Sequence, residues 1–260
     1  MTTCELYHET TGRDDAPPLV LGSSLGTTLE MWDPQIGALA TRLKVIRFDY
    51  RGHGRSPVPS GPYTIEQLGG DVLALLDRLG IERFSYCGLS LGGMVGMWLA
   101  INAPARILRL VLVCTSAHMP PASAWRERAA AVRSAASTEI VADAVLARWF
   151  TAPYARDNPD VIARYRRMIA ATPAEGYAAC CEAIAPLDLR DGLPRITAAT
   201  LVIAGSEDPA APPAHARTIA SGIPAAQLEI LDQAAHLASV QRAEDVTRLI
   251  VHHLGSQENA

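Results

Sequence analysis

A serine between glycines, then an aspartate, then a histidine could together carry out acyl transfer. Serine is a poor nucleophile at neutral pH. It needs an adjacent base, and the base needs an acid to orient it. Ser90 is the centre of Gly88-Leu89-Ser90-Leu91-Gly92. Three fixed residues recur by chance, so the flanks must carry the assignment. Upstream, Phe84-Ser85-Tyr86-Cys87 reads as a strand; downstream, Met94 to Ala100 reads as a helix. Strand, sharp turn and helix make a nucleophile elbow, which holds its serine strained with the hydroxyl exposed. The flanking glycines are needed because side chains there would collide with the neighbouring strand and helix.

In chains with this elbow the acid and the histidine follow the serine in that order. Asp208 follows the apolar run Leu201 to Ala204 through Gly205-Ser206-Glu207. His236 follows Leu228 to Leu231 through Asp232-Gln233-Ala234-Ala235. Both fall in loops at the carboxyl ends of strands, where open α/β sheets build their sites. Glu207 is the main rival for the acid, and Asp232 is a poorer one because it precedes the base in the same loop. Cys114-Thr115-Ser116, after another strand, supplies no acid. His8 in an N-terminal strand, His215 on a helix, and His252-His253 near an exposed C-terminus read as structural or solvated.

The oxyanion of acyl transfer needs backbone N–H donors. Leu91, directly after the nucleophile, supplies one. Leu25, in the loop Gly22-Ser23-Ser24-Leu25-Gly26 after the strand Leu19-Val20-Leu21, supplies the other; the alternative is a turn of small residues and nothing more. Asp49-Tyr50-Arg51-Gly52-His53-Gly54-Arg55-Ser56 reads as a structural turn whose Arg and Asp satisfy loop carbonyls and amides. It lacks the spacing and terminal Lys-Ser/Thr of a phosphate cradle.

The elements that position these residues alternate strand and helix, the pattern of a mainly parallel sheet covered on both faces. Strands are expected at Pro18–Leu21, Lys44–Asp49, Phe84–Cys87, Ile107–Val113, Thr200–Ala204 and Gln227–Leu231. Helices are expected at Ile65–Leu79, Gly92–Asn102 and Val240–Leu254. Between Met119 and Leu193 no convincing strand occurs, and helical runs appear around Trp125–Ala136, Glu139–Phe150 and Pro159–Ala171. The reading is a core of residues 1–118 and 194–260 with a helical lid, 119–193, inserted into it; the alternative is a second layer of covering helices. Within the lid, Trp125 and Arg128 are three apart and share a helix face, whereas the adjacent Arg148 and Trp149 point differently.

The 260 residues are 49% hydrophobic and 19% charged, with a formal net charge of -4. That suits one globular domain and gives no basic face, so nucleic acid is not expected as a partner. No apolar run reaches the roughly 18 residues of a membrane span, and Met1-Thr2-Thr3-Cys4-Glu5 does not open a secretory signal. Five cysteines without paired spacing point to free thiols in a reducing, cytoplasmic setting. No metal or other cofactor is expected, and the sequence leaves a homo-oligomer open.

These residues resemble the α/β-hydrolase superfamily over nearly the whole length: the Asp49–Ser56 loop, the elbow at Ser90, Asp208 and His236 all match its pattern. More narrowly, the chain is similar to the 3-oxoadipate enol-lactonases of the bacterial β-ketoadipate pathway. Ser24-Leu25-Gly26-Thr27 with Met31-Trp32-Asp33, Gly61 to Gln67, Arg148-Trp149-Phe150-Thr151 and Gly176 to Cys181 carry that likeness. The family often has Asn where this chain has Ser23, and both residues are able to hydrogen-bond and steady the loop. Some members carry a fused decarboxylase domain, for which a chain ending at Ala260 leaves no room. The resemblance implies an α/β-hydrolase fold and a small lactone substrate, opened by Ser90, His236 and Asp208. A carboxylate on that substrate calls for a cation; Arg128 is the choice, with Trp149 lining the pocket. A general carboxylesterase, a carbon–carbon bond hydrolase of ring-cleavage products, and a ligand receptor without turnover remain as rival readings. Haloalkane dehalogenases resemble it less, because they carry Asp at the elbow where this chain has Ser90.

Overall fold

The structure, a computed structural model, describes residues 3–255. Residues 1, 2 and 256–260, assigned above to the core, lie outside the described residues. Seven strands form one sheet: β1 (His8–Thr11), β2 (Pro18–Gly22), β3 (Lys44–Phe48), β4 (Phe84–Leu89), β5 (Ile107–Val113), β6 (Ala199–Gly205) and β7 (Gln227–Leu231). Their order is β1-β3-β2-β4-β5-β6-β7. β1 runs antiparallel to β3 and the remaining pairs are parallel. The central strands are covered on both faces, which is why β2 and β5 read as continuous apolar runs rather than alternating ones.

Among the described residues six α-helices accompany the sheet: α1 (Asp33–Leu39), α2 (Ile65–Arg78), α3 (Leu91–Asn102), α9 (Pro213–Gly222), α10 (Ala238–Gln241) and α11 (Ala243–Gly255). The start of α2 is set by a capping box, in which the Thr64 hydroxyl accepts from the Gln67 N–H and the Gln67 side chain accepts from the Thr64 N–H. Five further helices lie between β5 and β6: α4 (Ala122–Ala135), α5 (Glu139–Trp149), α6 (Ala152–Asp157), α7 (Pro159–Ala170) and α8 (Ala174–Ile184). Among the described residues no helix is long and apolar enough to cross a membrane.

The chain passes from β2 to β3 on one side and then crosses to β4 on the other. The direction in which successive strands are added therefore reverses between β2 and β4, and a crevice opens at the carboxyl ends of these two parallel strands. The loop Gly22–Gly26 and the elbow at Ser90 both sit there.

Two expectations need correction. The helix expected over Val240–Leu254 is broken at Arg242, whose backbone angles of φ -123° and ψ 49° separate α10 from α11. His253 is not at an exposed end: it is buried, and its Nε2–H donates to the Ala199 carbonyl at 3.1 Å. This hydrogen bond ties the last turns of α11 to the first residue of β6.

Candidate active site

Ser90 follows β4 and precedes α3, with φ 55° and ψ -114°. A side chain in that region costs ~1–3 kcal/mol, so the surroundings must hold it. The Ser90 N–H donates to the Val113 carbonyl at 3.0 Å. Its own carbonyl accepts from the Met94 N–H and from the Thr115 hydroxyl, the latter at 2.6 Å. The two glycines of the motif have separate steric reasons. A Cβ on Gly88 would meet the Gly92 carbonyl, and a Cβ on Gly92 would meet the Gly22 carbonyl at the end of β2. The Gly92 N–H also donates to the Ser23 carbonyl at 3.1 Å, locking the elbow to the loop after β2.

Asp208, after β6, and His236, after β7, are brought together. His236 Nδ1 lies 2.8 Å from Asp208 Oδ2, and both side chains are buried. A carboxylate only accepts, so Nδ1 carries the proton and Nε2 is left as the acceptor. The other oxygen, Oδ1, accepts from the Ala210 N–H at 2.8 Å and the Ala211 N–H at 3.0 Å. Burial works to raise the Asp208 carboxyl, but the electrostatic attraction and hydrogen bond of the facing His236 ring, with these two amides, hold it below the ordinary carboxylate value. Glu207 and Asp232 point to solvent, so neither competes for the histidine.

Ser90 and His236 border one cavity of about 110 Å³. That is far below the ~300–1,000 Å³ of drug-sized sites and suits a small molecule. Among the described residues Ser90 Oγ makes no hydrogen bond to His236; catalytic hydrogen bonds are often long before substrate binds. Leu25 lines the cavity and Leu91 begins α3 beside it. Neither N–H is engaged by a loop carbonyl among the described residues. The next amide in the loop, Gly26 N–H, donates to His53 Nε2 at 3.0 Å. His53 Nδ1 in turn donates to the Arg51 carbonyl at 3.4 Å. Complete burial pushes this imidazole down to about 4, so it is neutral and able to accept.

Ser23 does not do what was expected of it. Its hydroxyl is buried without a hydrogen-bond partner among the described residues, and only its carbonyl takes part in the loop. The short side chain does not reach a partner.

Arg128 and Trp149 both border the cavity, as does Trp125, over whose ring the Arg128 guanidinium sits at 4.8 Å from the centroid. Arg148 borders it too, although its neighbour Trp149 does the same. Adjacent helical residues diverge by about 100°, yet both residues line the cavity at the end of α5. Arg148, His53 and Thr115 were not assigned to the site from sequence. Their contribution depends on which distant segments they meet, and no local pattern encodes that. Among the described residues no cluster of three His, Cys, Asp or Glu side chains is placed to hold a metal ion.

The sequence profile described as alpha/beta hydrolase fold matches residues 17–243. The 3-oxoadipate enol-lactonase 2 of Acinetobacter baylyi is 42% identical, over 92% of this chain and 89% of its own. The 3-oxoadipate enol-lactonase 1 of the same organism is 36% identical, over 90% and 86%. The crystal structure of the enol-lactonase from Burkholderia xenovorans superposes with a TM-score of 0.94 at 44% identity, covering 97% of both chains.

Proposed function

This chain belongs to the α/β-hydrolase fold family, and from that premise we propose that it is a carboxylic ester hydrolase with 3-oxoadipate enol-lactonase activity. One arrangement carries the reading on the structural side. Ser90 and the Asp208-bound His236 open into a small cavity that two guanidinium groups, Arg128 and Arg148, also border. The substrate is a five-membered enol-lactone with a carboxymethyl arm: its carbonyl suits the serine and its anion suits an arginine.

In this reading Ser90 Oγ attacks the lactone carbonyl while His236 Nε2 takes its proton. Asp208 fixes the ring orientation and stabilises the imidazolium. The N–H groups of Leu25 and Leu91 donate to the oxyanion. The ring C–O bond then breaks, and the enol oxygen leaves as an enolate that takes up the proton held by His236, returning the imidazole to its neutral form, and ends as the ketone. The acyl group stays on Ser90 until His236 takes a proton from water, whose oxygen attacks the ester carbonyl. 3-Oxoadipate is released and the proton returns to Ser90. Arg128 holds the carboxylate and Trp149 lines the ring. Residues 119–193 act as the lid of a core made of 1–118 and 194–260. All five cysteines are free and buried, which supports a reducing, cytoplasmic setting.

The test is loss of enol-lactone absorbance, with the lactone generated in situ, for wild type and Ser90→Ala. Wild type should consume it rapidly. Ser90→Ala should be slower by at least ~10³-fold. A folded wild type that leaves the lactone untouched would remove the lactonase reading. A panel of p-nitrophenyl esters and ring-cleavage dienones would then separate a carboxylesterase from a carbon–carbon bond hydrolase.

A further inference from the structure

The cavity holds one more cation than a single carboxylate-binding arginine requires. Arg148 stands on the last turn of α5, half-buried at the cavity wall. Its Nε–H is used by the Ala144 carbonyl of its own helix at 3.1 Å, which fixes the stem of the side chain. Its guanidinium pairs with no carboxylate among the described residues, and neither does that of Arg128. By contrast, the lid arginines Arg133, Arg164 and Arg166, away from the cavity, each hold acidic partners. Burial and the nearby Arg128 charge hold the Arg148 guanidinium below its ordinary value. Two like charges in a partly dry cavity are unfavourable unless an anion sits between them.

The main chain of the same residue faces the catalytic base. The Arg148 carbonyl accepts from the His236 N–H at 3.4 Å, and the Trp149 carbonyl accepts from the Leu237 N–H at 3.0 Å. The end of α5 is therefore a direct hydrogen-bonded support for the loop that carries His236. A ligand anion held by the Arg148 side chain is held by the residue that sets the position of the base.

We propose that Arg148 is a specificity-determining residue that grips the substrate carboxylate jointly with Arg128 and, through its carbonyl, converts that grip into placement of His236. This rests on the lactonase reading above. In the enol-lactone the carboxymethyl arm is attached to the ring carbon that bears the leaving oxygen. Holding the arm therefore also fixes the bond to be broken. Binding energy from a remote group is then expressed in kcat as well as KM, so a substrate lacking the group loses both.

The experiment compares wild type, Arg148→Met and Arg148→Lys on two lactones: the carboxymethyl enol-lactone and the same ring with methyl in place of carboxymethyl. Circular dichroism melts confirm that the variants fold. Arg148→Met should lose about 100-fold in kcat/KM on the charged lactone, with about tenfold of it in kcat. On the neutral lactone it should stay within about threefold of wild type. Arg148→Lys should recover part of the charged-lactone rate, because it keeps the charge but not the fork. Equal losses on both lactones would reduce Arg148 to a structural support and overturn the proposal, as would an unchanged rate on the charged one. A wild type inactive on both would instead remove the lactonase reading. Calorimetric titration with adipate then still decides on Arg148: a loss of about tenfold or more in affinity in Arg148→Met supports the anion grip, and equal affinity overturns it.

Discussion

His53 shows what one buried side chain contributes without touching the reaction. Its Nε2 fixes the Gly26 amide, one residue beyond the proposed oxyanion donor Leu25. Only the neutral ring accepts that bond, and burial holds it neutral down to about 4. In the unfolded chain the same group titrates near its ordinary value of 6.5. Between those two values the unfolded state binds the extra proton. The stability it contributes is therefore complete above pH 6.5, falls as the pH drops toward 4, and does not fall further below that, an effect of up to ~3 kcal/mol. Urea midpoints from pH 8 to pH 4 should fall less steeply for His53→Gln, whose amide oxygen accepts from Gly26 but does not titrate; parallel curves would rule this account out. From sequence the Asp49–Ser56 segment was legible as a structural turn, and its Asp49 carboxylate does accept from the Leu29 and Arg55 amides. The role of His53 was not, because its partner lies 27 residues away and carries no side chain. The candidates Ser90, Asp208 and His236 could be picked out because each stands within five residues of the end of an apolar strand, where a local pattern marks the place.

At the scale of elements, one side chain makes a hydrogen-bonded joint between insertion and core. Gln241, at the end of α10, uses both ends of its amide. Its Nε2 donates to Thr151 Oγ1 at 2.7 Å and to the Gln233 carbonyl at 2.8 Å. Its Oε1 accepts from the Thr151 N–H at 3.3 Å and the Ala235 N–H at 3.2 Å. One side chain thereby ties the junction of α5 and α6 to the loop that ends in His236. The break at Arg242 ends α10 directly after this residue, and a continuous helix had been expected there. Gln241→Ala should lose ~1–3 kcal/mol of stability and between ~10- and ~100-fold in kcat, with KM nearly unchanged, since the base is displaced rather than the pocket. Loss of melting temperature at full kcat would mean that the side chain is a strut and does not place His236. Two insertion helices escaped the sequence reading for different reasons. α6 is six residues long, too short for a period to show. α8 is buried on almost every side, so its Ala-Cys run has no polar face to reveal a helical repeat.

Across the whole molecule, the insertion contributes to both sides of the sheet. Val132 of α4 and Tyr177, Cys180 and Ile184 of α8 join the apolar cluster that holds Val72 and Leu75 of α2 and Val95 of α3. Val145 and Trp149 of α5 and Tyr165 and Ile169 of α7 join the opposite cluster, with Leu39 of α1 and Ile250 of α11. The helices thus straddle the carboxyl edge of the sheet, and the cavity is the space left beneath them. Burying a large apolar side chain contributes ~1.5–3 kcal/mol, and each cluster takes several such side chains from the insertion. Losing the insertion would expose both. The lid and the core should therefore unfold as one cooperative unit. A variant with Trp149 as its single tryptophan, the other three replaced by Phe, reports on the insertion by fluorescence, while far-UV circular dichroism reports on the whole chain. The two urea transitions should coincide in midpoint and steepness. A fluorescence transition that clearly precedes the circular dichroism change would show a lid able to melt off an intact core, and the packing of α5 and α7 against the sheet would then be too weak to hold His236 in place through the α5 carbonyls.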